Sequence, residues 1–381
     1  MHLPASASAT TSARASDRED GAGYSCPMPR SQVRSALEAL GVRGGRLLVA
    51  ASGGLDSTVL LELLRELAEP LDLELVVGHV NHQLRGADSE EDARWLREKV
   101  QAAGLSFEER RIEPERLREG LSSRDRPTLE EAARTARRQA LETMAARCGC
   151  RWIATAHHAD DQAETVMLRI LRGTGPEGLA AMAPLSRDGR WVRPLLGVER
   201  ERLRAWALSR GLEWREDASN LDRDFARNRL RLDWLPELAE SFNPRLLRTL
   251  CDLAEAQRRD LEWIETLVEQ AAAEWIEVGP SGVVVAIDGW SALPEALARR
   301  LVRRLMIELG LGRSLSRSHL ERVLEMLRRG RTMGRDKELE LPRGIRLRRV
   351  GDAFVLNLGK PEAAGRNGFG SAGNATVRAR D

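Results

Sequence analysis

Residues 46–65 read Arg-Leu-Leu-Val-Ala-Ala-Ser-Gly-Gly-Leu-Asp-Ser-Thr-Val-Leu-Leu-Glu-Leu-Leu-Arg, and at their centre Ser52, Gly53, Gly54, Leu55, Asp56 and Ser57 suit a phosphate. Paired glycines permit positive φ and close backbone approach. Ser52 and Ser57 add hydroxyl donors, and Asp56 is of the type that holds a magnesium ion through carboxylate or water. A second polar cluster runs His157-His-Ala-Asp-Asp-Gln-Ala-Glu-Thr165. On a helix Asp161 and Glu164 share one face, and Asp160 is expected to cap the first turn. Carboxylates beside a triphosphate bind magnesium or an ammonium group, or act as a base; ordinary capping and a solvated face are the plainer use of the same residues. His157 and His158 have no third and fourth ligand at zinc spacing. In Glu130-Glu-Ala-Ala-Arg-Thr-Ala-Arg-Arg138, Arg134, Arg137 and Arg138 occupy adjoining faces of one helix, either as a salt-bridged surface or with one Arg reaching a phosphate.

These clusters need elements to hold them. Residues 47–51 are an apolar run of the length of a buried parallel strand. Residues 58–67 carry leucines at helical spacing, so a helix begins near Asp56. Strand, Gly-rich turn and helix N-terminus together present backbone N–H groups and a positive dipole end to an anion. No Lys-Ser/Thr follows the glycines, and the spacing is not Gly-x-Gly-x-x-Gly. Further strands are predicted at 73–80, 107–112 and 152–156, and helices at 31–40, 88–103, 128–147, from Asp160, and 199–212. This alternation means βαβ units in an α/β, doubly wound parallel sheet, whose ligands sit at the carboxyl ends of the strands. The clusters at 52–57, 79–86 and 157–164 all lie at such ends. Residues 225–276 read as helix with breaks at Pro236 and Asn243-Pro244, followed by a strand at 283–287, helices at 294–309 and 316–329, and short strands within 339–356. The expected organisation is an extension (1–30), a catalytic domain (31–220), a helical linker (221–279), a small α+β domain (280–358) and a tail (359–381).

A chain of 381 residues accommodates two domains, and no apolar run reaches the length of a membrane span. The ends, rich in Ala, Ser and Thr or in Gly, Ala and Asn, have compositions that cannot bury a core. Cys26, Cys148, Cys150 and Cys251 form no C-x-x-C, which points to reduced thiols and a cytoplasmic location. The net charge is +2, yet residues 299–349 hold fifteen Arg and one Lys against six acids, a local balance of +10. Such asymmetry suits either a polyanion surface or a solvated Arg-rich face.

The loop at 52–57 resembles the Ser-Gly-Gly-x-Asp-Ser loop of the ATP pyrophosphatases, which split ATP between the α and β phosphates. With His79-Val-Asn-His-Gln-Leu-Arg-Gly86, Glu131-Ala-Ala-Arg-x-Ala-Arg137, the cluster at 157–165, Leu171-Arg-Gly-Thr-Gly-Pro-Glu-Gly-Leu179, Asp217-x-Ser219-Asn220 and Phe225-Ala-Arg-Asn-Arg-Leu-Arg231, in this order, the chain resembles the bacterial tRNA(Ile)-lysidine synthetases (PP-loop family). The likeness is strong over residues 35–240 and weaker to 358; Arg138 stands where the family usually shows an aromatic.

The resemblance implies that ATP adenylates the C2 oxygen of the wobble cytidine in an isoleucine tRNA with a CAU anticodon, and that free L-lysine then displaces AMP to leave lysidine. It implies ATP bound at Ser52 to Ser57 with Mg2+ on Asp56, catalysis by Asp161, Glu164 and Arg137, a nucleotide or substrate pocket with His79, Asn81, His82 and His158, and RNA contacts from Arg227, Arg229 and Arg231. A structural salt-bridge role for those three arginines stands beside it. The oligomeric state is left open, a homodimer included. The competing readings are a thiolating relative, for which Cys148-Gly-Cys150 is the close cysteine pair, an amidotransferase-linked synthetase, and a nucleotide- or RNA-binding protein without catalysis.

Overall fold

The computed structural model describes residues 29–82, 87–119, 127–216, 223–279, 282–311, 316–334 and 337–358. The motif residues 83–86 and 217–220 and both terminal tails lie outside them. The described chain divides into two compact units after Ala254.

The first unit is built on a five-stranded parallel sheet of order β3-β2-β1-β4-β5, with β1 Gly45–Ala50, β2 Leu73–Asn81, β3 Ser106–Arg111, β4 Trp152–Ala154 and β5 Trp191–Val192. This is the doubly wound arrangement expected from the alternation of elements. Side chains alternate across it as the pleat dictates. Leu47 and Val49 pack with α1 (Pro29–Ala39), α2 (Leu55–Ala68) and α7 (Arg200–Ser209), whereas Leu48 and Ala50 pack with Ala140, Leu141 and Met144 of α4 (Leu129–Arg147). α3 (Ala87–Ala102) adds Leu96 and Val100 against Val77. The chain order reverses between β1 and β4, so the crevice for a ligand opens at their carboxyl ends.

Three local expectations are corrected. β4 is only three residues long, which releases residues 155–158 as a loop over the crevice. α5 (Ala159–Leu171) begins before Asp160: His158 is its N-cap, and Asp160 instead accepts the Arg200 N–H at 2.8 Å. The helical stretch beyond residue 225 is broken more finely than Pro236 and Pro244 imply. α6 is the short Pro176–Leu179 turn. α8 (Ala226–Arg229), a π-helical turn Leu230–Trp234 and α9 (Leu235–Ser241) then precede α10 (Leu246–Trp275).

In the second unit an antiparallel sheet of order β6-β7-β10-β9-β8 packs on α11 (Glu295–Glu308) and α12 (Arg317–Arg329). Its strands are β6 Ile276–Gly279, β7 Gly282–Ala286, β8 Glu338–Glu340, β9 Ile345–Val350 and β10 Ala353–Leu358. β6 lies where the helical pattern was expected to end; pairing with β7 overrides it. Among the described residues no helix is long and apolar enough to cross a membrane.

Candidate active site

The turn after β1 is held by its own serines. Ser57 Oγ accepts the Ser52 N–H at 3.1 Å and donates to the Gly54 carbonyl at 3.0 Å, while the two hydroxyls meet at 3.1 Å. Both hydroxyls thus brace the loop, and Ser57 is buried. Gly53 has φ +85, a left-handed conformation that favours glycine, and a Cβ there would rest in contact with the Trp95 ring at 3.4 Å. Gly54 stands at the N-cap of the fourteen-residue α2 without a side-chain cap, a helix N-terminus of the kind that suits an anion.

Asp56 follows on the first turn of α2. Its Oδ2 lies 3.5 Å from His158 Nε2 and its Oδ1 3.5 Å from Arg200 Nε. His158 is almost fully buried, with Asp160 at 3.5 Å and Asp161 at 3.4 Å as further carboxylate neighbours. Burial opposes the charge, but these carboxylates outweigh it and push the imidazole up to about 9. The ring thus favours its charged form, and α5 opens on a reciprocal cap in which Asp161 Oδ2 accepts the His158 backbone N–H at 3.1 Å and the Asp161 N–H lies 3.4 Å from His158 Nδ1. Burial also opposes ionisation of Asp56, yet His158 and Arg200 hold its carboxyl below the ordinary value.

One turn on, Glu164 is 1% exposed, and burial raises its pKa despite nearby arginines. Arg227 donates from Nε to Glu164 Oε2 at 2.6 Å and from Nη2 to Asp161 Oδ1 at 2.8 Å. Arg231, on the π-helical turn, reaches Glu164 at 3.7 Å. Arg229 is separate and holds the carbonyls of Arg223 and Asp224 at 2.8 and 3.0 Å. Arg137 keeps accessible surface, yet enclosing protein and then Arg134 lower its pKa while Asp161 opposes them. Arg137 thus stands as an exposed cation of α4 with Asp161 among its charged neighbours.

The β2 residues brace the crevice. His79 Nδ1 lies 2.9 Å from the Ala51 carbonyl, and burial lowers its pKa. Asn81 is buried and donates to Glu90 at 3.3 Å, on α3. His82 is half-buried at the end of the described segment. His157 is kept neutral by burial, at about 3, with Thr155 Oγ1 2.8 Å from its Nδ1. Arg200 of α7 was not foreseen from the sequence, since nothing in its local pattern distinguishes it from other helix-starting arginines. Cys150 is buried and pushed up to about 11, which leaves little thiolate for sulfur transfer.

With this geometry in place, residues 29–238 match the PP-loop domain family and residues 286–352 the TilS substrate binding domain family. The tRNA(Ile)-lysidine synthase of Geobacter sulfurreducens is 42% identical over 262 residues, 68% of this chain and 54% of that protein. The tRNA(Ile)-lysidine synthase of Solibacter usitatus is 37% identical over 316 residues, 82% of this chain and 68% of the relative. The chain belongs to the tRNA(Ile)-lysidine synthase family. It spans between about half and two thirds of the length of these lysidine synthases. A U34-tRNA thiolase, NcsA from Methanococcus maripaludis, shares the fold at TM-score 0.50 and 18% identity, over 61% of this chain and 78% of its own.

The PP-loop and the acidic helix of this family member meet through His158 and Arg200. His158 touches Asp56 from one ring nitrogen and lies against Asp160 with the other, so phosphate loop and carboxylates form a single charged cluster at the β1/β4 crevice. Asp56 fits a magnesium ligand by chemistry: it is held ionised, and its buried Oδ1 has no hydrogen-bond partner.

Proposed function

We propose that this protein ligates free lysine to C2 of the wobble cytidine of an isoleucine tRNA bearing a CAU anticodon, at the expense of ATP. The observation that carries the reading is the junction of the phosphate loop and the Asp161–Glu164 pair through His158 at one crevice. Residues 52–57 and the α2 N-terminus bind the phosphates. Asp56 would hold a magnesium ion with phosphate oxygens, which when bound offsets phosphate charge. Arg137 faces the α-phosphate from α4 and stabilises the charge that grows there.

The cytidine C2 oxygen bonds to the α-phosphorus as the bond to the β-phosphate oxygen breaks and pyrophosphate leaves. The ε-amine then bonds to C2, and the C2–O bond breaks to release AMP. An ε-ammonium, with pKa about 10.4, must first lose a proton. Glu164, buried and with a raised pKa, accepts it, and Asp161 supplies the second carboxylate of the ammonium site. Arg227 now sits between the two, so lysine binding exchanges one cation for another. The second unit, with its +10 stretch and its match to a substrate binding domain, supplies tRNA affinity.

The test is incubation with labelled lysine, total tRNA and ATP. Label is expected only in isoleucine tRNA and only with ATP. Pyrophosphate release that is indifferent to lysine and tRNA, with no label in RNA, overturns the reading.

A further inference from the structure

Beside the carboxylates, a group of arginines is held by carbonyl oxygens. Arg169 of α5 donates from Nη1 to the carbonyls of Gly178 and Ala181 at 2.7 and 3.2 Å. Arg193, just past β5, donates from Nη1 to the Ala183 carbonyl at 2.7 Å. The loop they grip is stiff. Gln162 clamps Met182 through both backbone groups, at 2.9 and 3.0 Å. A Cβ on Gly178 would overlap Thr174, coming 1.6 Å from its Oγ1. Carbonyls of residues 178–183, from the end of the Gly-Thr-Gly-Pro-Glu-Gly motif onward, thus fix two guanidinium groups.

Carbonyls satisfy hydrogen bonds without cancelling charge. Arg193 is half-buried, and its buried Nε has no hydrogen-bond partner. Arg134, exposed on α4, stands within electrostatic reach of both arginines and of Arg137. For Arg169 and for Arg193, burial first and then the charge of Arg134 lower the pKa. The charges facing this group include Arg138 and, with opposite sign, Asp188 beside Arg193, and Asp161 beside Arg137. Positive charge gathered at a rigid, partly desolvated surface is costly unless an anion completes it. Planar guanidinium groups recognise phosphate oxygens through paired N–H donors.

We propose that Arg134, Arg169 and Arg193 form a phosphate-binding site beside the carboxylate pair, and that it takes a backbone phosphodiester of the RNA strand carrying the reacting cytidine. The RNA identity of the ligand rests on the function proposed above; the phosphate chemistry does not. Such a contact fixes the strand while the base is splayed into the crevice, positioning without reading sequence. The same oxyanion chemistry is offered by free pyrophosphate, the other source of a ligand here.

The experiment measures tRNA binding by the full chain from about 50 to 200 mM salt, with pyrophosphate inhibition in parallel. Removing one arginine that binds a phosphate is expected to flatten the log–log slope by about 0.7–0.9, so that the affinity ratio across this range shrinks about threefold. Arg134→Gln, on an exposed helix face, is expected to show this with unchanged thermal unfolding. Arg193→Gln should do the same, with Arg193→Lys recovering part of the slope. If wild-type protein binds tRNA and Arg134→Gln keeps both the wild-type slope and the wild-type pyrophosphate inhibition, the site is overturned. Weaker pyrophosphate inhibition with an unchanged slope overturns the RNA assignment and gives the site to pyrophosphate. Absence of tRNA binding by wild-type protein would strike the proposed function itself, a distinguishable result.

Discussion

The Nε–H of Arg227 donates to Oε2 of Glu164 at 2.6 Å, joining a helix after the sheet to the acidic helix inside it across 63 residues. Glu164 is buried while Arg227 remains one-third exposed. Removing one partner of such a pair strands a buried charge. Arg227→Leu is expected to destabilise the first unit by about 2–3 kcal/mol, below the fully buried range because Arg227 is partly solvated. Glu164 has a folded pKa raised above its unfolded one, so its contribution falls as pH rises through the folded value. The loss in Arg227→Leu is thus expected to be larger at pH 8 than at pH 5, and Arg227→Leu with Glu164→Gln should recover part of it. Urea titrations at both pH values check this; equal losses would place the damage elsewhere.

Asp56→Ala is expected to lower pyrophosphate release by at least about a hundredfold, comparable to losing one preorganised charge contact at a reacting centre. Binding of tRNA should persist, since Asp56 lies in the phosphate loop. Release at the wild-type rate would remove the phosphate-loop assignment.

His158 gives a pH signature of the same sign, at higher pH. Its folded pKa of about 9 exceeds the ordinary 6.5. The stability it contributes is therefore fully present below about 6.5 and is lost as pH rises through about 9, to a total of at most about 3 kcal/mol. His158→Gln should show a flatter stability profile across that window, measured by urea unfolding without nucleotide or magnesium. An unchanged profile would mean that the ring is not an imidazolium.

In the basic stretch of the second unit some arginines are tied to carboxylates, others, such as Arg343 and Arg349, to backbone carbonyls. Arg331 holds Asp288 at 2.9 Å and Asp352 at 2.7 Å, and Arg329 holds Glu325 at 2.5 Å. Arg322 and Arg328 are exposed on α12, and Arg328 borders a cleft of about 290 Å³ with Arg299 and Arg329. Replacing Arg322 and Arg328 with Gln is expected to raise the tRNA KM and flatten its salt slope by up to about 1.5 units, with kcat at saturating tRNA unchanged. Arg331→Gln should instead lower the melting temperature of the second unit. A fall in kcat with KM constant in the double variant would contradict a purely RNA-binding role.

The sequence by itself determined the parts governed by local rules. The apolar run 47–50, the paired glycines and the leucines of α2 place a strand, turn and helix because burial and backbone freedom act over a few residues. The three-residue spacing of Asp161 and Glu164 puts both on one helix face for the same reason. Tertiary structure decided who meets them. Ser57 turns inward to brace the loop, His158 gathers carboxylates from two helices, Arg200 comes to Asp56, and Arg227 closes on Asp161 and Glu164. Periodicity cannot announce these contacts, because each depends on strand order and on charges brought together from distant segments. An arginine destined for a carbonyl, a carboxylate or an RNA phosphate looks the same in the chain until the fold sets its neighbours.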